Sequence, residues 1–281
     1  MPDMSPAREI RRPAVAGRFY SGDAETLERD VRGFLDAPGQ GVPCVEARMV
    51  MVPHAGYRYS GAIAGQTYRA VRPRARAVVL CPNHTGLGER RAVSSARAWQ
   101  LPGGDVRCDD ELRELLVEHA GLVRDDAAHA REHAIEVQLP FLRAMAPAGT
   151  FAAVCLAGLS LEECLRLGEG VAVAVRAASA AGHGEILLVA STDMSHYVPA
   201  EVARKQDALA LERVQALDPE GLYETVQRRQ ISMCGYVPAT VAIAAARALG
   251  ATSAEIVRYG NSGETSGDLA SVVGYAGAWV S

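Results

Sequence analysis

Four short, mostly apolar runs punctuate the chain, at residues 47–52, 75–81, 151–157 and 185–190, each followed at once by Pro, Gly or Ser. Runs of this kind read as strands buried on both faces, as in a parallel sheet. Between them apolar positions fall three and four apart, which predicts helices over residues 24–35, 62–71, 110–119, 132–142, 161–181, 201–217, 219–228 and 238–249. Asp23, Asp109 and the Ser160/Glu163 pair stand where helix caps belong, and Pro238 suits a first turn. Further strands are read at residues 99–101, 255–259 and 271–280. The alternation predicts an α/β fold, a single domain over residues 1–281 with a central, mostly parallel sheet flanked by helices. Residues 1–12 read as a flexible lead and residues 38–43 as a Gly/Pro loop; no repeat or interdomain linker breaks the pattern.

The chemistry gathers where these strands end. Val52-Pro53-His54-Ala55-Gly56 follows the first run, Pro82-Asn83-His84-Thr85-Gly86 the second, and Ser191-Thr192-Asp193-Met194-Ser195-His196 the fourth. In open α/β sheets ligands bind outside the carboxyl ends of the strands, so three histidines just past three strands point to one site. A βαβ crossover between the first two runs would bring His54 and His84 to the same edge. Asp193, three residues before His196, is placed to orient that ring and raise its basicity. His133 and Glu136 share a face if residues 132–142 are helical. Cys234 stands just before a predicted helix, where the dipole favours thiolate. His119, His129 and His183 have no motif around them, and His119 reads as a dipole partner at a helix end.

Composition narrows the classes. With 49% hydrophobic residues but only 5% aromatic among 281, the core must be built mainly from Ala, Val and Leu. A formal charge of -4 without a dominant basic stripe excludes a nucleic-acid partner, and the basic cluster at 72–76 reads as a solvated loop. The six cysteines form no C-x-x-C pair, which together with the lack of a leader or of an apolar run of ~18 residues predicts a reduced, cytoplasmic protein with no membrane partner. P-loop, dinucleotide-binding, zincin and nucleophile-elbow motifs are all absent.

Two imidazoles with a thiolate or a carboxylate can hold a divalent metal and leave a position open for catalysis. Imidazole suits zinc, copper and iron; thiolate favours zinc or Cu(I), and a carboxylate would point to non-haem iron. A zinc hydrolase and a non-catalytic module that holds an anionic ligand with Arg58, His84 and His196 stand beside the redox reading.

Pro13-Ala14-Val15-Ala16-Gly17-Arg18-Phe19-Tyr20, Pro53-His54-Ala55-Gly56-Tyr57, Pro82-Asn83-His84, Glu132-His133, Ser191 to His196 and Met233-Cys234-Gly235 together resemble the Memo family, called AmmeMemoRadiSam system protein B in prokaryotes. The resemblance runs from about residue 11 to the end of the chain. It implies a fold like that of the class III extradiol (LigB-like) dioxygenases, with His54 and His84 as metal ligands and Cys234 where those enzymes place a glutamate. His196, with Asp193 beside it, would be the acid/base, and His133 would line the cleft. The resemblance further implies Fe(II), or copper or zinc, with dioxygenase-like oxidoreductase chemistry. It also implies work alongside AMMECR-type and radical SAM partner proteins, and, from animal members of the family, recognition of phosphotyrosine-bearing partners.

Overall fold

The strand that carries Ser191 at its end lies between the strands that lead to His54 and His84. In a computed structural model, which describes residues 9–36, 44–182 and 184–281, Ile186–Ser191 pairs in parallel with Met49–Val52 on one side and with Arg76–Pro82 on the other. Thr150–Leu156 extends the parallel block beyond Arg76–Pro82, and Val272–Val280 closes the other side antiparallel to Met49–Val52. The sheet is mixed overall, with its parallel strands at the centre, as the apolar runs predict. His54 and His84 are therefore two strands apart. The crossover joins strands that are not neighbours, and Ile186–Ser191 fills the gap; His196 does not end that strand but opens a separate short one, His196–Val198, antiparallel to Val272–Val280 at the sheet edge.

Side chains alternate across the sheet. Met49, Met51, Val78, Leu80, Ala152 and Val154 pack on one face, against Leu112, Leu116, Val171 and Val241 from helices Asp110–Ala120, Leu161–Ala180 and Tyr236–Ala248. Val50, Val52, Val79, Cys81, Ala153 and Cys155 pack on the other, against Leu27, Ala64, Tyr68 and Phe141 from helices Ala24–Asp36, Tyr57–Arg69 and Leu139–Met145. The strands are buried on both faces because helices cover both faces. The capping box at Ser160 and Glu163 forms, as does the Asp109 cap on the Leu112 amide. No helix among the described residues is long and apolar enough to cross a membrane.

Several expectations are corrected. The second helix starts at Tyr57, directly after Gly56, so His54 stands just before a helix N-terminus. Residues 132–142 do not form one amphipathic helix. A 3-10 turn at Glu136–Gln138 precedes the helix Leu139–Met145, and His133 lies in an irregular stretch. There the carboxylates of Glu132 and Glu136 capture backbone amides of other segments, which fixes the chain outside helical geometry. Ile10–Arg11 is not loose but pairs with Ala98–Leu101. The basic cluster is only partly solvated, because Arg76 is buried on Asp109 with Nε 2.6 Å from Oδ2. His129, which has no motif around it, is wholly buried. Residues 1–8, the loop at 38–43 and His183 lie outside the described residues.

Candidate metal centre

His54, His84 and His133 come together at the carboxyl edge of the sheet, each offering one ring nitrogen within 4.8 Å of those of the other two. The rings of His84 and His133 stack with centroids 4.7 Å apart, and His54 meets both edge-on at 5.1 and 5.3 Å. His54 is buried; the side chains of His84 and His133 are 31% and 21% exposed, so the group opens to solvent on one side only.

Each ring is held from behind. Ser191 Oγ donates its single proton to the Ala134 carbonyl at 2.7 Å, so towards His54 Nδ1, 3.0 Å away, it can only accept. His54 therefore carries its proton on Nδ1 and turns a bare Nε2 to the cleft. Gln138 braces the same hydroxyl from 2.9 Å and receives Tyr68 Oη at 3.0 Å. His84 sends both its amide and its Nδ1 to the Glu132 carboxylate, at 2.7 and 2.9 Å. His196 donates Nδ1–H to the Ser232 carbonyl at 2.8 Å, and its amide donates to Ser232 Oγ at 2.7 Å. The ring of His196 is thus oriented by Ser232 and not, as the spacing predicts, by Asp193. Asp193 instead accepts the His54 amide at 2.7 Å and so pins the loop that carries that ligand. Tyr197, with φ 57°, holds a left-handed turn directly after His196.

Cys234 reaches the group, its Sγ lying 3.3 Å from His54 Nε2 and 3.4 Å from the Asp193 amide nitrogen. The compact set of three is nevertheless His54, His84 and His133, with the thiol at its border. Gly235 makes that approach possible. A Cβ there would collide with the Thr192 side chain and lie 2.7 Å from the Ser191 carbonyl oxygen. Arg58 lies exposed in the first turn of its helix, with its guanidinium over Tyr59.

The electrostatics favour neutral donors. Burial, aided by the charge of His84, holds His54 at about 3, and burial with His54 holds His133 at about 4. Burial also pulls on His84, but the hydrogen bond and charge of Glu132 outweigh it and leave that ring above its ordinary value. Glu132 is the mirror case: burial would raise it, yet the His84 hydrogen bond and the neighbouring imidazoles bring it down to about 2. Burial and the Asp193 carboxylate push the Cys234 thiol well up, opposite to what the helix terminus alone predicts. The Cys234 residue itself is half-buried.

Of the supporting residues, Glu132 stood beside His133 in a recognised block and Ser191 opened the third histidine motif, yet neither carried weight by spacing alone. Ser232 and Gln138 gave no signal in the sequence.

Fold and site define an α/β protein with a histidine-lined candidate metal centre at the carboxyl ends of its central strands. The chain belongs to the Memo-like protein family, whose model matches residues 11–279. It is 40% identical over 280 residues to a MEMO1 family protein of Methanopyrus kandleri, covering 95% of this chain and 97% of the relative. Over 271 residues it is 39% identical to a MEMO1 family protein of Aquifex aeolicus, covering 95% and 98%. A third relative, from Methanothermobacter thermautotrophicus, is 36% identical over 278 residues, covering 95% and 99%.

Proposed function

We propose that the chain is a metal-dependent oxidoreductase of dioxygenase-like type, holding Fe(II), or alternatively copper or zinc, through His54 and His84 with His133 and Cys234 as the remaining donors. The observation that carries this reading is the convergence of three imidazoles, two of them held neutral at about 3 and about 4, with ligand nitrogens within 4.8 Å. Neutral imidazoles fit iron, copper and zinc alike, and the adjoining thiol adds a softer donor. A bound redox-active ion would supply electron transfer and Lewis acidity at this edge of the sheet. The protein's own part is to keep His54 neutral, to pin its loop through Asp193, and to leave His196 Nε2 free to take up or release a proton. Phe19, edge-on to His133 at 4.8 Å, shields one flank from water. The same reading includes work with AMMECR-type and radical SAM proteins, which co-purification from the native host would test.

The deciding measurement is metal content after purification without oxygen, wild type beside His54→Ala and Cys234→Ser. Near-stoichiometric iron or copper, lost in His54→Ala, supports the proposal. Absence of a specific metal in all three folded proteins favours the second reading, a module that binds an anionic ligand. The upward shift of His84, where Glu132 outweighs burial, is what favours that alternative, since it eases protonation of a ring at the mouth of the cleft.

A further inference from the structure

Glu132 is wholly buried, yet among the described residues no arginine or lysine pairs with its carboxylate. The hydrogen bonds to its carboxylate come from the site and its loops. Oε2 accepts the His84 amide at 2.7 Å; Oε1 accepts the Ala134 amide at 2.9 Å and faces His84 Nδ1 at 2.9 Å and His133 Nδ1 at 3.3 Å. One carboxylate thus holds the loop of one candidate ligand, the ring of that ligand, and the near edge of a second. A carboxylate of this kind can only accept, so His84 must present Nδ1–H to it and Nε2 to the cleft.

We propose that Glu132 is the positioning residue of the centre, setting the tautomer of His84 and holding His84 and His133 in one arrangement. The inference rests on the metal-binding reading for its purpose but not for its geometry. Its force is clearest in Glu132→Gln. An amide has one acceptor oxygen, while two backbone N–H groups approach from opposite sides and neither can reverse. If the amide oxygen serves the His84 backbone, its NH2 faces His84 Nδ1, which must become an acceptor; the proton moves to Nε2 and blocks the ligand nitrogen. If the oxygen serves Ala134 and the ring, the NH2 meets the His84 amide donor to donor and displaces the loop.

The test is two-bond 1H–15N correlation of the histidine rings in metal-free protein at pH 9, where the imidazoles are neutral, with Co(II) alone as the binding probe. Wild-type His84 should carry its proton on Nδ1. Folded Glu132→Gln should show Nε2–H or a mixture, with Co(II) affinity weakened about ten- to hundredfold. Nε2–H at His84 in the wild type overturns the proposal whether or not the variant folds. An unshifted Nδ1–H tautomer in a folded variant overturns it as well. A shifted tautomer in a protein whose wild type takes up no Co(II) removes the metal-binding reading and leaves the positioning role standing.

Discussion

Ser191 Oγ stands 3.0 Å from His54 Nδ1 while giving its own proton to the Ala134 carbonyl. The hydroxyl is therefore an acceptor towards the imidazole, and a serine at the end of a strand decides which nitrogen of a neighbouring strand's histidine is available. Ser191→Ala leaves His54 Nδ1 and one Gln138 Nε2 contact without that acceptor. We expect a stability loss of about 1–3 kcal/mol by urea unfolding, together with Co(II) binding weakened roughly tenfold or more. Unchanged affinity in a folded variant would show that the hydroxyl does not set the ring.

The third donor should depend on the metal. His133 completes the compact set, but Cys234 lies 3.3 Å from His54 Nε2. Co(II) should therefore lose more affinity in His133→Ala than in Cys234→Ser, and the thiophilic ions Cu(I) and Zn(II) the reverse. Competition titrations with each ion check this. A thiolate charge-transfer band in the Co(II) spectrum of the wild type would contradict the first half.

Glu136 staples the beginning of the chain to the wall of the site. It is wholly buried and takes Arg11, the amides of Ala14 and Val15 at 2.7 and 3.0 Å, and Tyr20 Oη at 2.7 Å. Arg11→Met removes the only cation paired with this carboxylate among the described residues. Leaving a buried charge without its partner should cost about 3–5 kcal/mol. The double variant Arg11→Met/Glu136→Gln should recover part of that loss in the same denaturation assay. A single variant as stable as wild type would mean the pair contributes nothing net.

Acid should destabilise the metal-free protein in two windows. Burial holds His54 at about 3 and His129 at about 4, below the ordinary 6.5, so the unfolded chain binds more protons than the folded one from about 6.5 down to those values. Stability therefore falls as pH drops through that interval, by up to about 1.4 kcal/mol per pH unit for each such group. Glu132 acts lower: its contribution is complete above 4.5 and is lost as pH falls through about 2. Urea midpoints at pH 8, 6.5, 5 and 4 trace the first window. His129→Leu should flatten the slope, because it removes a group that burial holds at about 4, and among the described residues neither ring nitrogen has a hydrogen-bond partner to lose.

The strands, the caps and the placing of His54 and His84 just past two central strands were legible because each depends on a local rule, apolar runs for two-sided burial and Pro after the strand; His196 opens an edge strand instead. Strand order was not. Nothing in residues 47–81 indicates that Ile186–Ser191 inserts between the first two histidine strands, since that pairing is made by segments more than a hundred residues apart. Residues 132–142 misled for a related reason. Their spacing suits a helix, but Glu132 and Glu136 bond to His84, Ala14 and Val15, and those distant partners override the local preference. Ser232 takes the role expected of Asp193 because proximity in sequence says nothing about which oxygen faces a ring.

The three central strands act as a ruler for the site. Neighbouring strands in any sheet repeat at about 4.8 Å, so the anchor points of His54 and His84, on either side of Ile186–Ser191, are spaced by the hydrogen-bond ladder rather than by their loops. Lengthening or softening a loop cannot widen the separation of those two anchors by a fraction of that step. Preference for one ion over another must therefore be adjusted through which side chain sits at each anchor and what braces it from behind. A laboratory selection for altered metal preference should accordingly return substitutions at positions such as Cys234, Glu132 and Ser191, and few loop insertions.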